Sequence, residues 1–154
     1  MEKFQENLQK AQRIIQTVDH MAYMTFQLVK DKRLLLKMLT EIKNGISSCI
    51  NAILQYEYLY KRISLYKNAR ENFMTFEKRC AKRYNITEEE INLIKNLFDI
   101  VEKHNQSPFE FMRGDKVVIL SNGLQPQTIT IEEVKRYLLL AKSICRKAKV
   151  VIFT

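Results

Sequence analysis

The sequence predicts a mainly α protein: an antiparallel helical bundle of four to five helices with a small β-hairpin before the last helix. Three observations predict it. Leu35, Leu39, Ile42, Ile46, Cys49, Ile53, Tyr56, Tyr60 and Ile63 recur at alternating steps of four and three. That is the seam of one long helix packed lengthwise against others. The chain has only 3 Gly and 2 Pro, which leaves little room for loops. Thr87–Glu90, Ser107–Glu110 and Thr130–Glu133 are spaced as capping boxes, each marking a helix start.

At 154 residues, 46% hydrophobic and 28% charged, the chain fits a single helical-bundle domain, 1–154, able to bury a core. Helix one should run from about Glu2 to Val29. Its stripe is Phe4, Leu8, Ala11, Ile15, Val18 and Ala22, widened by Ile14, Met21 and Leu28. Asp31 is placed to cap helix two, which carries the long seam to about Ile63. Gly45, Ser48 and Ala52 give that helix small residues where a neighbour can cross closely. A third helix should cover about Asn68 to Tyr84, burying Phe73, Phe76, Cys80 and Tyr84, with Asn85 as a left-handed stop. Helix four begins at the Thr87 box, with Ile91, Ile94, Leu97, Phe98 and Val101 inward. The Ser107 box, with Pro108 at the first helical position, predicts one short helical turn to Arg113.

The pattern then changes to strand. Lys116–Ser121 and Gln127–Thr130 flank an Asn122-Gly123 turn, and three further residues make the loop longer than two. The hairpin therefore occupies about 116–130. The last helix opens at Thr130, buries Val134, Tyr137, Leu138, Ala141, Ile144 and Cys145, and should end near Ala148. Val150–Phe153 reads as either a third strand or an apolar tail.

With 26 Lys and Arg against 17 Asp and Glu, the net charge is +9. A field of that sign concentrates phosphates and points to a polyanionic partner such as RNA. Cys49, Cys80 and Cys145 are odd in number and scattered, which reads as free thiols in a reducing compartment. The N-terminus carries no signal-peptide pattern, and no stretch reaches the ~20 apolar residues of a membrane span. A cytoplasmic protein with no membrane contact is expected. No metal-ligand spacing and no Gly-rich phosphate loop occur, so no metal and no cofactor are expected.

Two sets of residues carry candidate chemistry. Basic residues interleave with Tyr around the end of helix two and along helix three: Tyr58, Arg62, Lys67, Arg70, Lys78, Arg79, Lys82 and Arg83. Lys and Arg neutralise phosphates, and exposed Tyr rings stack on unpaired bases. Tyr58 lies off the seam, which makes it the better stacking candidate. The second set is Arg13 and His20, two helical turns apart on one face of helix one, with Asp19 and Tyr23 beside them. A His can take a proton from a ribose 2′-OH while an Arg steadies the phosphate.

That Arg-x6-His spacing on a helical bundle resembles the motif of HEPN ribonucleases, although that family places it on a late helix. The resemblance implies a metal-independent ribonuclease with His20 and Arg13 catalytic. The strings Asp19-His20-Met21-Ala22-Tyr23, Leu28-Val29-Lys30-Asp31 and Tyr56-Glu57-Tyr58-Leu59-Tyr60-Lys61-Arg62-Ile63 resemble small uncharacterised archaeal helical proteins. That likeness implies a cytoplasmic setting and no particular activity. The residues themselves favour a non-enzymatic basic module contacting RNA or a ribonucleoprotein. The ribonuclease and a homodimeric interaction scaffold are the alternatives. A 30-residue helix spans ~45 Å, more than so short a chain needs, which is the reason to expect pairing with a second copy.

Overall fold

The computed structural model describes residues 2–106, 109–113, 116–120 and 126–153, with side chains described outside 106–127. It is mainly α. The elements run α1 (Lys3–His20), a π turn (Met21–Thr25), α2 (Phe26–Val29), α3 (Arg33–Leu59), α4 (Ala69–Thr75) and a second π turn (Phe76–Cys80). After these come α5 (Glu88–Gln106), β1 (Phe109–Arg113), β2 (Lys116–Leu120), β3 (Pro126–Ile129) and α6 (Ile131–Ile152).

α3 is the hub. It packs most extensively on α1, then on α6, and also meets α5 and the second π turn. Leu35, Leu39, Ile42, Ile46, Cys49 and Ile53 are each at most 1% exposed. Burying each such aliphatic side chain is worth roughly 1.5–3 kcal/mol, so α3 is held by packing rather than by intrinsic propensity. Gly45 faces α1, where a Cβ would lie 3.4 Å from Ile14 Cγ2 and 3.6 Å from Ile15 Cγ1.

The two π turns correct the expectation of uninterrupted α-helices. Val18, Ala22 and Phe26 are buried at steps of four, and so are Phe76, Cys80 and Tyr84. Two consecutive steps of four drift around an ordinary α-helix; one wider turn returns them to the core side. The same shift turns Leu28 outward, so it is 81% exposed instead of widening the stripe. Lys30 then closes α2 in the left-handed region at φ 53°, and Asp31 accepts from the Arg33 amide at 3.0 Å to begin α3.

Further differences have local causes. α3 stops at Leu59 rather than Ile63, and Tyr60 is exposed, because Lys61 adopts φ 60° and turns the chain back. The turn expected to be helical up to Arg113 is strand β1, paired antiparallel with β2 from Phe109↔Leu120 to Arg113↔Lys116. A single helical turn gains little for its nucleation cost, whereas this segment has a β-rich neighbour to pair with. β2 and β3 form the expected hairpin, with Leu120↔Pro126 and Val117↔Ile129 in register. Asn122-Gly123 and the Ser107-Pro108 start lie outside the described residues. α6 continues through Val150 and Val151 to Ile152, because Ile144, Ala148 and Ile152 extend one buried stripe that overrides β propensity.

Two capping residues work as the sequence suggests. The Glu90 amide donates to Thr87 Oγ1 at 3.1 Å, and the Thr87 amide donates to Glu90 Oε1 at 3.0 Å. The Glu133 amide donates to Thr130 Oγ1 at 3.2 Å.

Candidate nucleic-acid interface

The buried side of α3 ends on an acid. Glu57 follows Ile53 by four residues, on the buried side of the helix, and is only 1% exposed. An unpaired carboxylate there would cost several kcal/mol, and three groups gather to prevent it. Arg62 Nη1 donates to Glu57 Oε2 at 2.9 Å, and the Tyr84 hydroxyl donates to the same oxygen at 3.3 Å. Arg83 Nε lies 3.6 Å from Glu57 Oε1. Burial first, and then the Glu57 carboxylate, push the Tyr84 hydroxyl far above its ordinary pKa, so it stays a neutral donor.

The backbone delivers Arg62 to this point. Lys61 donates its amide to the Tyr58 carbonyl and Arg62 donates to the Glu57 carbonyl, each at 3.0 Å, which folds the chain over the end of α3. The loop that follows is clamped by Asn72, whose side chain accepts from the Tyr66 amide and donates to the Tyr66 carbonyl, both at 2.8 Å. Asn68 caps α4 by accepting from the Arg70 amide at 2.8 Å.

Between this loop and the helix after α4 lies an open cleft of about 240 Å³, lined by Lys61, Arg62, Ile63, Ser64, Tyr66, Thr75 and Arg79. Its walls carry three cations and three hydroxyl side chains and no carboxylate. Tyr66, 52% exposed, lines it; Tyr60, 56% exposed, meets its wall residue Arg62, and Tyr58 near the end of α3 is 55% exposed. Tyr60 is braced from behind, since Phe4, Tyr56 and Tyr60 meet edge to face at 5.2 and 4.8 Å, and the Arg62 guanidinium sits 5.2 Å from the Tyr60 ring centre. The Thr75 hydroxyl donates to the Glu71 carbonyl at 3.1 Å, so the arrangement offers cations and the Ser64 and Tyr66 hydroxyls to a phosphate, and flat apolar faces to a base.

The candidate basic residues thus separate into groups. Arg62 and Arg79 line the cleft, while Arg83 shares Glu57 with Arg62. Lys78 and Lys82 are exposed on the segment that carries Arg79, and Lys67 is exposed in the clamped loop. Arg70 belongs elsewhere. It lines a wider groove whose walls also include Phe73, Phe98, Glu77, Asp99 and Glu102. Glu77 there pairs with Lys95 at 2.7 Å.

Glu57, Ser64 and Thr75 escaped the sequence reading. The signal for Glu57 was weak, because it lies beside the seam residue Tyr56 and one turn after Ile53, with an Arg five residues on. Ser64 and Thr75 carried no signal, since only the loop geometry brings them together.

No family model matches the chain, and no curated protein matches it. The functional reading therefore rests on the residues themselves.

Arg13 and His20 are both exposed on α1, seven positions or about 10 Å of helix axis apart. Their neighbours are engaged with α6. Asp19 is ion-paired with Lys142, and the Tyr23 ring lies 4.6 Å from Lys135 Nζ and 5.9 Å from Lys142 Nζ. Arg13 lines a shallow hollow with Lys10, Asn7 and Gln55 in which His20 has no part. Among the described residues no group of three or more His, Cys, Asp or Glu could hold a metal ion, and no helix is long and apolar enough to cross a membrane.

Proposed function

We propose that this protein is a non-enzymatic helical module that holds single-stranded RNA at the cleft beside the end of α3. The observation that carries the reading is a cleft wall with three cations and no carboxylate, bordered by exposed tyrosines. Lys61, Arg62 and Arg79 contact the phosphate backbone, with Lys78, Lys82 and Arg83 extending the positive surface. Tyr58 and Tyr66 supply stacking platforms. Stacking on an aromatic ring contributes about 1–3 kcal/mol per base and tolerates any sequence. Glu57 neutralises part of this charge, but it also fixes the Arg62 guanidinium, so less side-chain entropy is lost when a phosphate arrives.

The test is a titration of labelled single- and double-stranded RNA at several salt concentrations with EDTA present, followed by a denaturing gel. Saturable binding that prefers single strands, weakens with salt and leaves the RNA intact supports the module. Cleavage that persists in EDTA and is abolished by His20→Ala would favour the ribonuclease instead. Absence of both at low salt overturns the RNA reading.

A homodimeric scaffold is the second reading. It is favoured by the apolar side chains at the end of the first helical run, where Met24 is 53%, Leu28 81% and Val29 62% exposed. Sedimentation of the protein, compared with Leu28→Glu, tests it: a dimer that dissociates on substitution supports it, and a monomer at all concentrations rejects it.

A further inference from the structure

Arg13 faces a surface that the α3 cleft does not include. The hollow it lines, about 470 Å³, lies between the first half of α1 and Gln55 of α3. Lys3 and Lys10 line it too, and Glu6 is its one carboxylate among the described residues. Asn7 ties its two sides together by donating to Gln55 Oε1 at 2.9 Å. On the flank of α1 that meets α6 lies an open cleft of about 380 Å³, lined in part by Gln12, Gln16, Lys142, Arg146 and Lys149. Among the described residues no carboxylate lines it. Lys142 is partly neutralised by its ion pair with Asp19, whereas Arg146 is exposed.

Both hollows continue from the cleft beside the end of α3. Arg62, a wall of that cleft, sits 5.2 Å from the Tyr60 ring centre. Tyr60 meets Tyr56, and Tyr56 meets Phe4 of α1 at 5.2 Å. Phe4 is next in sequence to Lys3, where the α1 hollow begins. Arg13 and Gln12, also adjacent in sequence, line that hollow and the α6 cleft respectively.

We propose that the three hollows form one track across the first half of α1, and that single-stranded RNA too long for the α3 cleft continues along it to α6. The track presupposes the RNA reading of that cleft and adds the course of the strand. Each hollow is lined by three cations, and the three together by one carboxylate among the described residues. A row of phosphates gains from cations repeated along its length, because each neutralised phosphate releases counterions. The Gln12 and Gln16 amides can donate to phosphate or sugar oxygens without reading sequence. The groove that holds Arg70 carries Glu77, Asp99 and Glu102 and has no place on the track. Arg13 then serves as a phosphate contact and needs no partnership with His20. From Lys3 to Gln16 is thirteen positions, or about 20 Å of helix axis. A stacked strand rises about 3.4 Å per nucleotide, so roughly six nucleotides cover that distance.

The experiment titrates the full chain with labelled oligouridylates of about 5 and about 15 nucleotides, lengths that fall short of and exceed the α1 span. The shorter strand fills the α3 cleft, and the longer one also reaches α1 and α6. Arg13→Ala and Arg146→Ala, both at exposed positions, should each weaken the longer strand about three- to tenfold and flatten its salt slope by about 0.7. Each variant should bind the shorter strand as wild type does. Arg79→Ala, in the α3 cleft, should weaken both strands. If either α1 or α6 variant leaves the longer strand unaffected while Arg79→Ala weakens it, the track is overturned and the α3 cleft stands alone. Equal losses for both lengths would also overturn the track, since a diffuse field acts on any strand. Binding of neither strand at low salt overturns the RNA reading and the track together.

Discussion

Arg62 and Glu57 are joined by a 2.9 Å charge-assisted hydrogen bond that closes the end of α3. Glu57 is enclosed, whereas the Arg62 side chain is 37% exposed, so the two partners depend on the bond unequally. Removing the carboxylate frees arginines that reach water. It also strips the acceptor from the buried Tyr84 hydroxyl. Glu57→Ala should therefore cost about 2–3 kcal/mol, mostly from the cavity and the orphaned hydroxyl. Tyr84→Phe should cost about 1 kcal/mol, the net worth of one hydrogen bond. Urea denaturation of both variants checks the order. A Glu57→Ala protein as stable as wild type would mean that the carboxylate only orients Arg62 and does not support the fold.

The sequence showed the architecture more fully than the site, and the reason is physical. Apolar periodicity is a local signal summed over many residues, so the α3 seam and the α6 stripe could be read directly. Capping by Thr87 and Thr130 was legible because a cap lies within four residues of its target. The π turns were not, because steps of four fit either a drifting α-helix or one wide turn, and only the tertiary contacts of Phe26 and Tyr84 decide between them. Long-range pairs were also hidden. Glu57 with Tyr84 and Asp19 with Lys142 depend on how the helices dock. The spacing of the basic set leaves open whether it forms one surface, and docking places Arg70 in a different groove from Arg79.

The Glu90 carboxylate links the start of α5 to α6, and its environment predicts how stability changes in acid. Burial alone would raise its pKa. The bonds from Lys147, the Thr87 amide and the Ser143 hydroxyl, which donates at 2.7 Å, together outweigh that. The folded pKa therefore lies below the ordinary value of 4.5. A depressed carboxylate contributes stability that is fully present above its unfolded pKa and is lost as pH falls through the folded one. Thermal melts should show Glu90→Gln less stable than wild type at pH 7, by about 1–2 kcal/mol. The gap should narrow once the pH drops below about 4.5. A gap unchanged down to pH 2 would show that Glu90 acts only through its shape.

Gly45 tests how tightly α1 and α3 pack. Within a helix, Ala is favoured over Gly by about 1 kcal/mol. The added methyl would meet Ile14 Cγ2 at 3.4 Å, an ordinary contact with the end of a half-buried side chain. Gly45→Ala should therefore stabilise the protein by about 0.5–1 kcal/mol. Gly45→Leu, which forces a branched side chain against Ile14 and Ile15, should destabilise it by about 1–3 kcal/mol. A destabilised Ala variant would show that the two helices have no slack at this crossing.

Arg79 and Arg70 lie on the same stretch of chain but face different surroundings, which separates the RNA reading from a general effect of net charge. Arg79 lines a cleft whose other charged walls are Lys61 and Arg62, whereas Arg70 lines a groove that also contains Glu77, Asp99 and Glu102. Each substitution to Ala removes one positive charge, so a nonspecific field would respond equally to both. If the cleft holds the phosphates, Arg79→Ala should weaken single-stranded RNA binding several-fold and Arg70→Ala should leave it nearly unchanged. The salt dependence gives a second readout. Each phosphate contact on a single strand contributes about 0.7 to the slope of log affinity against log salt, so Arg79→Ala should flatten that slope by about this amount. Tyr66→Ala should weaken binding without changing the slope, because stacking releases no counterions. Equal losses for Arg70→Ala and Arg79→Ala would move the binding surface away from the cleft and return the +9 charge to a diffuse role.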